Sequence, residues 1–159
     1  MALTSEATTV WTGSLATGSG NTTLDSSETA AFAVNWKARS EGEAHTTNPE
    51  ELLGAAHSAC FSMALSLALS EAGHVPESIQ TTAAVTFQPG KGVVGSHLLV
   101  NATVPGLDTE EFLVFAEEAK ANCPISQALA GIPITLEAVA MASVRVRVAW
   151  MREVRMVRR

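Results

Sequence analysis

Positive charge and cysteine are scarce in this 159-residue sequence, and each scarcity excludes a class of protein. Residues 1–142 hold four basic side chains against fifteen acidic ones, whereas residues 143–159 hold six arginines and one glutamate. Nucleic-acid phosphates need a basic surface, so the acidic body argues against a nucleic-acid partner. The length and the 47% hydrophobic content suit one compact domain. We therefore expect a domain over residues 1–142, followed by an Arg-rich tail over residues 143–159.

A membrane span and an export signal are not expected either. The most apolar stretch, residues 52–69, is interrupted by His57, Ser58, Ser62 and Ser66, whereas a span needs roughly 18 or more apolar residues in a row. The N-terminus, MALTSEATTVW, has neither the basic start nor the continuous apolar segment of a secretory signal. We therefore predict a cytoplasmic protein without a membrane partner.

The two cysteines, Cys60 and Cys123, are too few for a disulfide framework. In a reducing compartment such residues stay free thiols unless they form a cycling redox pair. The four histidines show no HxxxH spacing and the cysteines no CxxC spacing, which argues against a metal site. A glycine-rich phosphate loop is also missing from the sequence. We therefore expect no metal and no bound cofactor.

The alternation of apolar and polar residues predicts antiparallel strands within the first forty residues, with a turn at Gly18–Gly20 and alternation that extends to Trp36. The same period recurs on both sides of Pro89–Gly92 and predicts a hairpin. A last strand is expected over residues 132–141. These strands indicate antiparallel sheets.

Helix signals separate the strands. Asn48 as N-cap and Gly73 beyond the end predict a long helix over residues 46–72. A second helix over residues 108–122 and a short one over residues 124–130 follow the hairpin. The resulting order, βββ-α-ββ-α-α-β, indicates an α+β fold.

Cys60 lies in the middle of the predicted long helix, on a face that is almost entirely apolar. A cysteine there is commonly a small core residue, and a buried thiol is inert unless a cation lowers its pKa. Arg39 and His57 are the two nearby candidates. Arg39 is the stronger one, because a guanidinium stays charged and can both stabilise a thiolate and hydrogen-bond a peroxide oxygen. His57 is assigned to packing.

The acidic pair at the start of the same helix supplies a partner for Arg39. An arginine in an apolar pocket needs a carboxylate. Glu51 stands three residues after the N-cap, where a capping box uses it, so Glu50 is left to hold Arg39. A favourable interaction with the helix dipole explains Glu50 equally well.

Cys123 stands at the entrance of the short helix that begins with Pro124. Unpaired backbone amides at such an entrance favour a thiolate. The alternative is a small buried residue at a helix kink. These residues alone leave both interpretations open.

Two motifs carry the cysteines: RSEGEAHTTNPEELLGAAHSACFSMALSLALSEAG, residues 39–73, and AKANCPISQAL, residues 119–129. Both resemble motifs of the OsmC/Ohr family of osmotically inducible and organic-hydroperoxide-resistance proteins, and in particular its OsmC branch. The resemblance extends over residues 8–141 and does not include the Arg-rich tail.

The resemblance implies an intertwined homodimer. Two long central helices would lie together behind curved sheets, and two active sites would form at the subunit interface. Four small residues of the long helix suit such close helix packing: Gly54, Ala55, Ala56 and Ala59.

The resemblance also implies a thiol-dependent peroxidase with four site residues. Cys60 would attack an organic hydroperoxide and Cys123 would close a disulfide with it. Arg39 would contact the thiolate and the peroxide, and Glu50 would position Arg39. A dithiol reductant of lipoyl type or similar would reopen the disulfide. The apolar surroundings of Cys60 favour organic hydroperoxides over hydrogen peroxide.

Two other functions are compatible with the same residues. The protein could be a non-catalytic dimer that binds an apolar ligand and uses both cysteines for packing. It could also be a thiol hydrolase with His57 as the base of Cys60, although the two residues lie one turn apart on one helix without an orienting carboxylate.

Overall fold

The computed structural model describes residues 1–141 and has the α+β architecture that the sequence predicts. The predicted boundary at residues 142 and 143 and the Arg-rich tail lie outside the described residues. The described residues form two three-stranded sheets and four helices. In chain order these elements are β1 (Thr8–Thr12), β2 (Ser19–Thr23), β3 (Ala31–Asn35), α1 (Trp36–Ser40), α2 (Pro49–Glu71), β4 (Ser78–Gln88), β5 (Gly92–Thr103), α3 (Thr109–Asn122), α4 (Pro124–Ala128) and β6 (Ile134–Met141).

The first sheet has the strand order β1-β2-β3, and both of its pairs are antiparallel. The predicted turn at Gly18–Gly20 is wrong in part, because β2 already begins at Ser19. Gly20 lies within the strand, where an added Cβ would stand 2.9 Å from Val34 and 3.0 Å from Trp11. This glycine therefore allows close side-chain packing and does not form a turn.

The short helix α1 stands where the sequence predicts the end of a strand, and it is missing from the predicted order. Asn35 ends β3 and caps α1, because its side-chain oxygen accepts a hydrogen bond from the Ala38 amide at 2.7 Å. Because of this local cap, a helix begins at Trp36, although the alternation of apolar and polar residues extends to that position. As a result, Arg39 lies on a helix and not on a strand.

The long helix α2 begins and ends as predicted. The Asn48 side chain accepts a hydrogen bond from the Glu51 amide at 2.8 Å, and Gly73 takes the left-handed conformation beyond the helix end, with φ of 86°. The capping box is only half formed, because the Glu51 carboxylate accepts a hydrogen bond from the Thr47 hydroxyl. The remaining carboxylate of the first turn, Glu50, is buried.

One face of α2 packs against the second sheet and α3. An added Cβ at Gly54 would stand 2.7 Å from the carbonyl oxygen of Ala83 in β4, so this glycine permits a close helix–strand contact. Of the small residues predicted to pack against another helix, Gly54 is thus buried against the sheet of its own chain. The others are exposed: Ala55, Ala56 and Ala59.

By length and composition alone, α2 is apolar enough to cross a membrane, so the expectation drawn from its polar interruptions was wrong on that criterion. Core helices of soluble proteins meet the same criterion. Phe61, Leu65 and Leu69 of α2 are fully buried and pack with β5 and α3 in the main apolar core. Their packing supports a central helix of a folded domain.

The second sheet has the strand order β4-β5-β6. The predicted hairpin of β4 and β5 is confirmed, with left-handed glycines at Gly90 and Gly92 in its turn. The expectation of purely antiparallel sheets is wrong for one pair, because β6 runs parallel to β5. The helices α3 and α4 form the crossover that parallel neighbours require.

Candidate active site

The two cysteines meet, although 63 positions separate them in the chain. Their Sγ atoms lie 3.1 Å apart and share one hydrogen bond. Cys60 lies on α2 and is partly exposed, whereas Cys123 is fully buried in the core between α3 and α4. Both are free thiols. The structure therefore brings together two sulfurs that could form a disulfide after a small movement.

Pro124 explains the backbone conformation that places Cys123 between α3 and α4. The residue before a proline avoids the helical conformation, and Cys123 accordingly has φ of −61° and ψ of 122°. Its amide still donates to the Ala119 carbonyl at 2.8 Å, and its carbonyl accepts from the Gln127 amide at 3.0 Å. Cys123 is thus both the C-cap of α3 and the N-cap of α4. Its side chain does not make the usual capping hydrogen bond.

The two thiols differ in pKa. Burial raises the pKa of Cys60, and its neighbour Cys123 raises it further, while the Ile125 amide lowers it in part. Burial also acts to raise the pKa of Cys123, but the Ser126 amide, the Cys60 thiol and the Ser126 side chain together lower it. Within one chain, the surroundings therefore disfavour a thiolate on Cys60 and favour one on Cys123.

A cleft of about 500 Å³ opens beside Cys60. The cleft lies between α2 and α3, and most of its lining side chains are apolar. Its charged members are Glu71 and Glu118. The lining residues on α2 include Cys60, Met63, Ala64, Leu67 and Ala68.

Arg39 and Glu50 form the ion pair that the sequence predicts. The Arg39 Nη2 atom donates to Glu50 Oε1 at 2.7 Å, and its Nε atom lies 3.1 and 3.2 Å from the two carboxylate oxygens. The guanidinium also lies over the Phe87 ring, 4.2 Å from its centroid. Since Glu50 is only 7% exposed, the pair is fixed in one geometry.

Within residues 1–141 of a single chain, the ion pair and the cysteines are separate. Arg39 makes its side-chain contacts to Glu50 and Phe87, and none of the influences on the Cys60 pKa comes from it. Glu50 and Cys60 are ten positions apart on α2, which places them about 15 Å apart along the helix axis. Among residues 1–141, the cation expected beside Cys60 is therefore not supplied by Arg39 of the same chain.

The model of the OsmC-like protein family matches residues 41–137, a range that includes both Cys60 and Cys123. The chain belongs to the OsmC-like protein family. The fold agrees, since solved structures of an OsmC protein and an Ohr protein match it with TM-scores of 0.66 and 0.64.

Three relatives in the OsmC-like family illustrate the similarity. Peroxiredoxin OsmC of Escherichia coli (strain K12) is 44% identical over 122 residues, which is 75% of this chain and 85% of that protein. Organic hydroperoxide resistance protein OhrA of Bacillus subtilis (strain 168) is 34% identical over 94 residues, 57% of this chain and 66% of that protein. The crystal structure of an organic hydroperoxide resistance protein OsmC from Legionella pneumophila has a TM-score of 0.66 and 26% identity, and covers 86% of this chain and 97% of that one.

The sequence assigned His57 to packing but did not identify the two serines that bind it in this OsmC-like chain. His57 is fully buried, and its two ring nitrogens each lie 2.9 Å from a serine hydroxyl: Nδ1 from Ser96 and Nε2 from Ser126. Burial lowers the pKa of His57. Ser126 stands in the motif around Cys123, so its proximity to that cysteine could have been noticed, whereas nothing in the sequence points to Ser96.

The hydrolase alternative finds no support in this arrangement. Both ring nitrogens of His57 are occupied by serines, so the imidazole makes no hydrogen bond to Cys60 that would activate it. In the part of the chain that the structure describes, no group of three His, Cys, Asp or Glu residues could hold a metal ion. The chemistry that remains is that of the paired thiols.

Proposed function

We propose that the protein is a thiol-dependent peroxidase that reduces organic hydroperoxides to alcohols. The observation that carries this proposal is the 3.1 Å separation of the Cys60 and Cys123 sulfurs beside an apolar cleft. A pair of packing cysteines would not need to meet at the edge of a cleft. The names of two relatives support the same reaction, since one is called a peroxiredoxin and the other an organic hydroperoxide resistance protein.

Cys60 is the attacking residue in this proposal, because it lines the cleft whereas Cys123 is fully buried. The Cys60 thiolate attacks one peroxide oxygen, so that an S–O bond forms and the O–O bond breaks. The alkoxide leaves and takes a proton to become the alcohol. The alkyl group of the substrate would lie along the apolar wall of Met63 and Leu67. Hydrogen peroxide has no such group and should react less efficiently.

Cys123 completes the turnover. Its thiolate attacks the Cys60 sulfur of the sulfenic acid, so that the S–S bond forms and hydroxide leaves. An external dithiol of lipoyl type then reduces the disulfide by exchange and becomes a disulfide itself. A cytoplasmic location belongs to the same proposal, because a reducing compartment supplies such dithiols.

A homodimer supplies Cys60 with a cation, because Arg39 of the same chain does not contact it. Burial raises the pKa of Cys60, so its thiolate needs a nearby positive charge. The proposed source is Arg39 of a second copy, held by Glu50 of that same copy. Each subunit would then contribute its ion pair to the cysteine of the other, and two equal sites would form.

The exposed face of α2 is suited to this arrangement. Two antiparallel copies of a helix that cross midway between Glu50 and Cys60 bring each Glu50 opposite the other copy's Cys60. The crossing point then falls near Ala55 and Ala56, whose small exposed side chains allow close approach. Further along the same face and away from the crossing, Met63 is 67% and Leu67 60% exposed, and both line the cleft beside Cys60.

Mass spectrometry after one equivalent of cumene hydroperoxide tests the proposal. We expect a loss of two hydrogens mapped to a disulfide between Cys60 and Cys123, and one cumyl alcohol per subunit. The Cys123→Ser variant should stop at a sulfenic acid on Cys60, which dimedone traps. An unchanged Cys60 after this treatment would refute the peroxidase.

The apolar-ligand-binding alternative makes the opposite prediction for one variant. The cleft beside Cys60 could hold a ligand without any reaction. The Cys60→Ser variant of a binding protein would keep its ligand affinity and its cellular role, whereas a peroxidase loses all turnover in this variant. Comparing cumene hydroperoxide with hydrogen peroxide in the wild type adds a measure of how far the apolar wall selects the substrate.

A further inference from the structure

Three buried side chains form a hydrogen-bonded series that ends beside Cys123. Ser96 from β5, His57 from α2 and Ser126 from α4 are 2%, 0% and 5% exposed. His57 is bonded at 2.9 Å to each serine, and these contacts connect positions 39 and 69 apart in the chain. We call these three residues the serine–histidine series. The steps of the proposed peroxidase reaction do not involve these residues.

The series is connected to the sulfur pair at one end. Ser126 stands in the first turn of α4, three positions after the N-cap Cys123, and its side chain and its amide both lower the pKa of Cys123. At the same end, His57 lies three positions before Cys60 on α2, so one helix carries both the imidazole and the other sulfur. The contacts of His57 therefore hold β5, α2 and α4 together around Cys123.

The number of donor hydrogens on each side chain limits the directions that the hydrogen bonds of the series can take. A hydroxyl has one hydrogen, and a neutral imidazole has one N–H and one acceptor nitrogen. If the Ser126 hydrogen points at the Cys123 sulfur, the Ser126 oxygen must accept from the Nε2–H of His57, and Nδ1 must accept from the Ser96 hydroxyl. Every donor then points from Ser96 towards Cys123. In the opposite orientation, Ser126 donates to His57 and can only accept from a Cys123 thiol.

We propose that Ser126, oriented by His57 and Ser96, is a positioning residue that donates its hydroxyl hydrogen to the Cys123 sulfur and prepares this sulfur to attack oxidised Cys60. The role in resolution rests on the proposed peroxidase function, whereas the orientation of the hydrogens does not. The donated hydrogen stabilises the Cys123 thiolate before attack. During attack the S–S bond to Cys60 forms, the S–O bond of the sulfenic acid breaks and hydroxide leaves, so the charge that Ser126 stabilised moves away from Cys123.

The described surroundings support a neutral His57 in this role. The elements packed on α2 bring few ionisable groups, since β4 and α4 have none and β5 has only His97, which is on the opposite side of the strand from Ser96. On α3, Glu118 lines the cleft beside Cys60. Within residues 1–141, neither ring nitrogen of His57 contacts a carboxylate. Burial lowers the pKa of His57, which agrees with a neutral ring.

The first test measures the pKa of Cys123 in the full chain by the ultraviolet absorbance of its thiolate. The Cys60→Ser background leaves one titrating cysteine and keeps a hydroxyl donor next to it. Adding Ser126→Ala should raise the Cys123 pKa by about one to two units, since a hydrogen bond to a charged group is lost. Ser126→Thr keeps the hydroxyl and should restore the lower value.

Ser62→Ala is the matched control, because Ser62 lies on α2 near Cys60 but donates its hydroxyl hydrogen to Thr81 at 2.8 Å. This control should leave the Cys123 pKa unchanged. If Ser126→Ala behaves like the control, or if Ser126→Thr fails to restore the low value, Ser126 does not donate to Cys123. Neither measurement depends on peroxidase activity.

The second test determines the His57 tautomer by nitrogen NMR shifts of the reduced protein. We expect the hydrogen on Nε2, and a hydrogen on Nδ1 would overturn the proposed orientation. A single-turnover experiment then examines the role in resolution. Ser126→Ala should slow disulfide closure about tenfold at neutral pH and leave the rate of Cys60 oxidation unchanged. Equal slowing of both steps would indicate a purely structural role, and no Cys60 oxidation in the wild type would refute only the peroxidase.

Discussion

Glu50 and Cys60 lie ten positions apart on the same helix, so that about 15 Å of helix axis separates the carboxylate holding Arg39 from the sulfur expected to need Arg39. Glu50 binds Arg39 at 2.7 Å, and Cys60 instead lies 3.1 Å from Cys123. The two halves of the proposed site are therefore each well formed, but far apart in one chain. A second copy of α2 running in the opposite direction would bring them together.

Mixed dimers test this arrangement directly. Arg39→Ala and Cys60→Ser subunits are each inactive alone, but a mixed dimer has one intact site if Arg39 acts on the other subunit. Equal amounts, exchanged at random, should recover about a quarter of the wild-type peroxidase rate. A mixture of Arg39→Ala and Glu50→Gln is the matched control and should show no more activity than the average of the two variants measured alone, because both changes damage the same ion pair. No recovery in the first mixture would mean that Arg39 acts within its own chain.

Glu50→Gln should reduce both activity and stability. The Arg39 guanidinium would keep its place over Phe87 but lose the charge that orients it. We expect the peroxidase rate to fall about tenfold or more and the free energy of unfolding to fall by about 1–2 kcal/mol, less than for a fully buried pair because Arg39 is partly exposed. Stopped-flow oxidation and urea unfolding measure the two effects.

The control for Glu50→Gln lies on the same short helix as Arg39. Lys37 forms an exposed ion pair with Glu43 at 3.3 Å. Lys37→Gln should change the free energy of unfolding by less than about 0.5 kcal/mol and leave the peroxidase rate unchanged. A similar loss of activity in both variants would show that α1 as a whole, and not the Arg39 ion pair, supports the site.

The buried His57 should make the protein less stable in mild acid. Its pKa is lowered by burial from the ordinary value of 6.5, so the unfolded chain takes up a proton that the folded chain refuses. The contribution of His57 to stability is therefore present above pH 6.5 and is lost as the pH falls through the lowered folded value. Thermal unfolding between pH 8 and pH 5 measures it.

Two variants separate this effect from general acid denaturation. His57→Gln removes the titrating ring, so its Tm, although lower throughout, should fall less steeply below pH 6.5 than that of the wild type. Ser62→Ala removes a hydroxyl that donates to Thr81 but no titratable group, and should keep the wild-type slope. Parallel curves for the wild type and His57→Gln would contradict a buried neutral His57.

Gly54→Ala should destabilise the fold, because its new Cβ would stand 2.7 Å from the backbone oxygen of Ala83 and force α2 away from β4. We expect a loss of about 1–3 kcal/mol in the free energy of unfolding, measured with urea. Gly131→Ala is the matched control, since a Cβ there meets nothing within 4 Å, and it should change stability by less than about 1 kcal/mol. Equal effects would rule out the close contact of α2 and β4 as the cause.

Elements whose signals are local could be predicted from the sequence. Asn48 and Gly73 bound α2, and the proline after Cys123 separates α3 from α4, because caps and backbone restrictions act over a few residues. The carboxylate partner of Arg39 was also predictable, since a partly buried guanidinium needs a negative charge and few candidates lie nearby. The motifs around both cysteines were sufficient to predict the family.

Features that depend on contacts between distant segments became clear only in the folded chain. The parallel pairing of β5 and β6 follows from the way α3 and α4 cross the sheet, which strand alternation does not encode. The hydrogen bonds from His57 to Ser96 and Ser126 connect three elements. The position of a single histidine on an apolar helix face does not predict which residues bind it. The separation of Arg39 from Cys60 within one chain likewise follows from where α1 packs. Local rules cannot determine such relationships, because packing selects among many arrangements that have the same local structure.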